Sequence, residues 1–369
     1  MSIQLPFDGL GCSANQHRRD AAGIRYIGSK ARVVEEIAAI LGEPADGDGA
    51  FVDGFCGTGV VAEAAAGLGW PIRLNDHLLS SVALAAARLF SPGDVPFTEL
   101  GGYVAALGSL DSARPANGFF WQEYSPASPQ GRMYFTEENA QRIDGARKLI
   151  SDWKVRGLLR RDEYALLIAD LITAAARVAN IAGTYGCFLA YWTDMAKRPL
   201  RFEARRLRDT PVEHQVFSRD VVDVPIAESD VAYFDPPYTK RQYAAYYHIN
   251  ETLAHGDEPE LIGKTGLRPW RDKASDYCYK VRALDALKDL IASTPARRIL
   301  LSYSSQGHVL LDDLARGIEP LGDLQIHELG AIGRYRPNRS ASAAGGEVTE
   351  YVLELQRLDV GVATEDVAR

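Results

Sequence analysis

The residues Asp235-Pro236-Pro237-Tyr238 follow directly on the apolar run Val231-Ala232-Tyr233-Phe234. A carboxylate, a rigid proline pair and an aromatic ring where a strand runs out suit one task. That task is gripping a flat base by its exocyclic amino group while a methyl group is delivered to it. Such an amino nitrogen is a poor nucleophile, because its lone pair is delocalised into the ring. Asp235 and the Pro236 carbonyl can each accept one of its N–H bonds, which favours sp³ geometry and aims the lone pair outward. Tyr238 can stack on the base, an interaction contributing roughly 1–3 kcal/mol. The same four residues also make an ordinary turn, since proline presets φ and aspartate caps turns. Segments upstream bear on the choice.

After Val52 comes the turn Asp53-Gly54-Phe55-Cys56-Gly57-Thr58-Gly59. Glycine lets the backbone fold sharply there and lets a ligand approach closely. Asp76, at the end of the next strand, is placed to hydrogen-bond a ribose, which predicts a nucleoside-containing cofactor. A dinucleotide is the second choice, because Gly54, Gly57 and Gly59 do not follow the Gly-x-Gly-x-x-Gly register. A third segment is Arg25-Tyr26-Ile27-Gly28-Ser29-Lys30. Ser29 there is either a helix N-cap, or Tyr26 and Lys30 stand beside the carboxylate-bearing end of the cofactor.

These segments need a frame. Apolar spacing predicts a helix over 31–41, a strand at 50–52, an alanine-rich helix over 60–68, a strand at 72–74 and another helix through Leu89. This opens a parallel α/β sheet. From Ser91 the texture changes to an aromatic-rich, proline-broken stretch, followed by helices over 137–155 and 162–181, the loop-like Gly183-Thr184-Tyr185-Gly186 and a basic run. Strands resume at 214–217, 231–234, 298–303 and 347–355. The expected organisation is one α/β catalytic domain, in parts 1–90 and 211–369, interrupted by a mostly helical insertion at 91–210.

The 369 residues are 46% hydrophobic and 24% charged, an ordinary globular balance. No apolar run reaches the ~20 residues of a membrane span. The first 19 residues lack a secretory pattern, so a cytoplasmic protein is expected. Four scattered cysteines (Cys12, Cys56, Cys187, Cys278) and seven histidines without ligand spacing predict neither disulfides nor a metal. The net charge is −8, yet cations cluster. Lys197, Arg198, Arg201, Arg205, Arg206 and Arg208 form one group, and Lys240 with Arg241 another. Arg268, Arg271, Lys273, Lys280 and Arg282 form a third, and Arg334, Arg336 and Arg339 a fourth. Each is either a solvated face or a phosphate track.

The order of the segments Arg25 to Lys30, Asp53 to Gly59 and Asp235 to Tyr238 resembles the alpha group of amino-methyltransferases. The chain looks like a Dam-like or FokI-type DNA adenine N6-methyltransferase. The stretch from Arg241-Gln242-Tyr243 through Tyr246-Tyr247-His248 to Glu251-Thr252 is most similar to the FokI type. The resemblance implies a Rossmann-like S-adenosylmethionine fold with mixed, mostly parallel strands and a target-recognition insertion before Asp-Pro-Pro-Tyr. It implies Asp235, Pro236, Pro237 and Tyr238 as the catalytic set. Tyr26, Gly28, Ser29, Lys30, Asp53 and Gly54 would line the cofactor site with Phe55, Gly57, Thr58, Gly59 and Asp76. Asp220 resembles the acid that contacts the cofactor adenine, although its Ser-Arg-Asp context departs from the usual Gly-Asp. Lys197, Arg198, Arg201, Arg205, Lys240, Arg241, Arg268 and Arg271 are the candidate phosphate contacts. Segment 255–276 reads either as a loop closing over DNA or as an ordinary surface loop. Partners implied are double-stranded DNA, from which the target base must be flipped, and a cognate restriction endonuclease; a monomer is expected. An N4-cytosine or RNA-directed enzyme, and an inactive nucleic-acid-binding protein, are the alternatives.

Overall fold

A computed structural model describes residues 26–330 and 348–357. Arg25, Cys12, the leading segment 1–19, the cluster Arg334, Arg336 and Arg339, and Glu347 therefore lie outside the described residues. Among the described residues seven strands form one sheet: Phe51–Asp53 (β1), Ile72–Asn75 (β2), His214–Phe217 (β3), Val231–Phe234 (β4), Arg298–Ser304 (β5), Asp323–Glu328 (β6) and Glu350–Gln356 (β7). Their order in space is β3-β2-β1-β4-β5-β7-β6. β1 to β5 run parallel to one another, and β7 runs antiparallel between β5 and β6. The architecture is a Rossmann-like, mostly parallel sheet flanked by helices.

Burial explains which strands the sequence reveals. Every residue of β1 and β4 is buried, as expected for strands covered on both faces. β6, at the sheet edge, buries none of its residues fully and has no apolar run to announce it, so sequence reading passes over it.

The flanking helices are Val34–Leu41 (α1), Val60–Gly67 (α2) and Leu79–Ala86 (α3), followed by Tyr103–Asp111 (α4), Phe119–Tyr124 (α5), Glu137–Val155 (α6) and Arg161–Arg177 (α7). Beyond β4 come Tyr243–Tyr246 (α8), His248–His255 (α9), Ala283–Ser293 (α10) and Leu311–Ile318 (α11). The C-terminus of α1 leaves carbonyls unpaired; Arg298 of β5 donates to those of Ile40 and Leu41 at 2.5 and 2.7 Å. No described helix is long and apolar enough to cross a membrane.

Between α3 and β3 the described chain forms no strand. Helix α7 packs on both α3 and α9, and α4 to α6 join it in one continuous apolar core. The aromatic stretch supplies much of that core: Phe120, Tyr124, Tyr134 and Phe135 are fully buried. Tyr124 and Tyr134 pack against His248 of α9. Burial pushes the His248 pKa down to about 4, so its ring is neutral, and Nε2 meets the Tyr185 carbonyl at 3.0 Å. The loop at 183–186 is thereby docked behind the segment that follows Asp-Pro-Pro-Tyr. Two buried acids tie α7 into place. Glu163 accepts from the Phe97 and Arg160 amides, and Asp170 accepts from Tyr103 and Arg205.

Candidate active site

Strand order places a crevice where the chain leaves β1 for β2 on one side and β4 lies on the other, the point at which open α/β sheets bind ligands. Asp53 ends β1 and Asp235 follows β4, so both carboxylates stand at the same end of adjacent strands. A cavity of about 490 Å³ opens there. Its walls include Tyr26, Gly28, Ser29, Lys30, Asp53 and Gly54. Phe55, Gly57, Thr58, Asp76 and Asp220 of the predicted set also line it, with Asp235 and Pro237. Three segments far apart in sequence thus share one space.

Gly59 is a correction. It is not on the cavity wall; at φ 77° it precedes α2, and a Cβ there would lie 2.6 Å from the Ala85 Cα. Its missing side chain lets α2 approach α3. Gly54 likewise faces the Phe234 ring, 2.6 Å from where its Cβ would be.

Asp76 holds the glycine turn itself: Oδ2 accepts from the Gly57 amide at 3.0 Å and Oδ1 from the Leu78 amide at 2.8 Å. Burial lifts its pKa to about 6 against those two hydrogen bonds. Each oxygen keeps a lone pair for a ligand hydroxyl. Asp53, 1% exposed, leaves Oδ1 without a hydrogen-bond partner. Burial and the neighbouring Asp235 and Asp76 hold its carboxyl well above the usual range.

Tyr26 stacks on Tyr247 at 4.5 Å, and its hydroxyl lies 3.0 Å from Ser81 Oγ. The Ile27 amide donates to Tyr247 and the Ile27 carbonyl accepts from Tyr243. The segment after β4 therefore clamps the Tyr26–Gly28 segment. The repeated tyrosines of 243–247 were its visible signal, though nothing in the sequence assigns them that partner.

Lys30 lines the cavity and is also held by protein groups. Its ammonium, 4% exposed, lies 2.8 Å from Glu350 Oε2, 3.1 Å from Asp235 Oδ1 and 3.1 Å from the Tyr238 hydroxyl. Of the three donors of the ammonium, two go to Glu350 and Tyr238, and the charge faces Asp235 as an ion pair. Burial pulls the Lys30 pKa down, but Asp235, Tyr238 and Glu350 outweigh it and the lysine stays charged. Burial raises Asp235 to about 6, with Lys30 pulling the other way. The Lys30–Asp235 contact is an ion pair without hydrogen-bond alignment, since Asp235 Oδ1 is unsatisfied as an acceptor. Pro236 and Tyr238 lie outside the cavity lining. The Tyr238 ring packs edge-on to Tyr303 at 5.5 Å.

Segment 256–279 is pinned down, and one end of it forms a cavity wall from Asp272 to Tyr277. Lys273 donates to the His77 carbonyl at 2.9 Å and to Glu251 at 3.1 Å. Glu251, buried on α9, also accepts from the Ser80 amide at 2.7 Å and lies 3.4 Å from His255. Gln242 exchanges two hydrogen bonds with Ser275. Neither of the two loop readings foresaw this wall.

The cation clusters divide. Lys197, Arg198, Arg201, Lys240, Arg241 and Arg271 are exposed. Arg205 and Arg268 are corrections: Arg205 is bound to Asp170 and Thr173, and Arg268 makes a two-pronged pair with Asp257 at 2.5 and 2.7 Å.

Comparison with known proteins agrees with this geometry. The model of the D12 class N6 adenine-specific DNA methyltransferases matches residues 26–310. The chain is 32% identical over 341 residues to the type II methyltransferase M.FokI of Planomicrobium okeanokoites, covering 90% of this chain and 53% of the relative. It is 31% identical over 342 residues to the modification methylase StsI of Streptococcus sanguinis, covering 90% and 52%. The chain spans about half the length of these relatives. With the type II methyltransferase M.CviAII of Paramecium bursaria Chlorella virus 1 it shares 31% identity over 337 residues, covering 89% of this chain and 97% of the relative.

Proposed function

Because the chain belongs to the D12 class of N6 adenine-specific DNA methyltransferases, we propose that it transfers a methyl group from S-adenosylmethionine to the N6 amino group of adenine in DNA. One observation carries the reading: Asp235 faces the same cavity as the turn after β1. Bound S-adenosylmethionine supplies an electrophilic methyl group on a sulfonium that leaves as a neutral thioether. The cavity suits such a cationic ligand. Asp53 offers a buried oxygen without a partner, and Asp76 has lone pairs to spare. Phe55, Val221 and Tyr277 offer apolar surface near Asp220 for a purine ring.

Asp235 and the Pro236 carbonyl accept the two amino hydrogens and orient the nitrogen lone pair, and Asp235 takes up the proton released after transfer. Tyr238 must turn a face to the flipped base to stack on it. Residues 91–210 form the target-recognition insertion between the halves 1–90 and 211–369. Lys197, Arg198, Arg201, Lys240, Arg241 and Arg271 touch phosphates. The enzyme acts as a cytoplasmic monomer on double-stranded DNA. A cognate restriction endonuclease is its partner, in keeping with relatives named type II and modification methylases.

The test is incubation of the full chain with DNA and methyl-tritiated S-adenosylmethionine, followed by nucleoside mass spectrometry. N6-methyladenine is expected. Label in N4-methylcytosine, in RNA only, or nowhere refutes the reading.

A further inference from the structure

Of the groups around Lys30, Glu350 is the nearest, at 2.8 Å against 3.1 Å for Asp235 and for Tyr238. It is also firmly mounted. Glu350 begins β7 opposite Ser304 of β5, and its carbonyl accepts from the Leu329 amide at 2.9 Å. Lys30, by contrast, sits in the turn leading to α1. The carboxylate of Glu350 is thus a fixed post and the lysine side chain a strut running from it to Asp235.

Charge matters as much as position. A lone buried ammonium against Asp235 would form a neutral pair and weaken the carboxylate as an acceptor. With Glu350 included, the cluster carries one net negative charge. The other titratable groups facing Asp235 are Asp53 of β1, Tyr233 of β4, Tyr238 beyond it and Tyr243 of α8. Asp53 lines the cavity beside Asp235, whereas Glu350 stands off the lining and reaches Asp235 through Lys30.

We propose that Glu350 is a positioning residue for methyl transfer. It fixes Lys30 against Oδ1 of Asp235 and shares the ammonium's charge, so the other Asp235 oxygen stays a strong acceptor. The proposal rests on the adenine-methyltransferase reading. In the step itself the nitrogen lone pair forms the N–C bond while the C–S electron pair stays with sulfur. The nitrogen then gives up one proton to Asp235, which passes it to water.

The experiment is single-turnover methyl transfer by the full chain, from acid to mildly alkaline pH, with cofactor affinity measured by calorimetry. Glu350→Gln keeps an oxygen for Lys30 but removes the charge. Its acid limb should move about one pH unit lower, with the plateau rate down roughly tenfold. Cofactor Kd should stay within about twofold of wild type. Glu350→Asp, which keeps the charge with a shorter reach, should lower the plateau and leave the limb near wild type; it carries the test alone if Glu350→Gln does not fold. A Gln variant with the wild-type limb, or an Asp variant with the wild-type plateau, overturns the proposal. If wild type itself methylates no adenine, the functional reading falls and takes the inference with it; an active wild type with indifferent variants sinks the inference alone.

Discussion

Replacing Glu251 by glutamine tests how the cavity wall is held. Glu251 is 2% exposed and binds the Ser80 amide, Lys273 and His255. Burial opposes its ionisation, but those partners prevail and take its pKa from 4.5 to about 2. At about 1.36 kcal/mol per pH unit this corresponds to roughly 3 kcal/mol of stability from the ionised form. The sign follows from a lowered folded pKa: the contribution is complete above about 4.5 and fades as pH falls towards about 2. Burial raises Asp76 and Asp235 and gives them the opposite slope, weakening the fold as pH rises towards about 6. The informative quantity is therefore the difference between wild type and Glu251→Gln. Urea unfolding in a pH series should show a gap approaching 3 kcal/mol near neutrality that narrows below about 4.5. Because Lys273 loses its anchor, cofactor should also dissociate faster from the variant in stopped-flow measurements. A gap below about 0.5 kcal/mol, or one that ignores pH, would refute the clasp.

Other expectations follow from the same geometry. Asp235→Ala should bind cofactor normally by calorimetry yet lose methyl incorporation by orders of magnitude; near-full activity would remove the double-acceptor mechanism. Since burial holds Asp235 near 6 and its acceptor form is the ionised one, single-turnover rate should fall about tenfold per pH unit below that value. A rate flat down to the ordinary carboxylate range would contradict this. Lys240→Ala or Arg241→Ala should each reduce the slope of log affinity against log salt by about one, while Arg268→Ala leaves that slope alone. Filter binding at several salt concentrations separates the two classes. Gly59→Ala sets a Cβ 2.6 Å from the Ala85 Cα at positive φ, so its melting temperature should drop well below that of a surface alanine substitution.

Chemistry and core strands were readable because both depend on local residue type. β4 is a run of buried apolar residues ending in Asp235, and α6 carries its own N-cap in Thr136, so spacing alone marked them. What escaped depends on distant partners. The amides at the start of α5 are satisfied by Asp144 of α6, a cap no local pattern can announce. Glu350 meets Lys30 across 320 residues, and only the fold makes them neighbours. Arg205 and Arg268 looked like phosphate contacts because a basic run shows charge and hides the acid facing it. Lys273, read as one more surface cation, turned out to be the anchor of a cavity wall.

The antiparallel strand near the sheet edge has a consequence for biosynthesis. β7 comes after β6 in the chain but lies inside it in space. A ribosome that has delivered everything through β6 has made a strand with no neighbour to pair with, and a lysine lacking its closest counter-ion. Only when residues 350–356 emerge can the sheet be completed and Lys30 meet Glu350. A chain ending after β6 would leave that strand without its described neighbour and Lys30 without Glu350, and on the role proposed for Glu350 it should transfer methyl groups slowly.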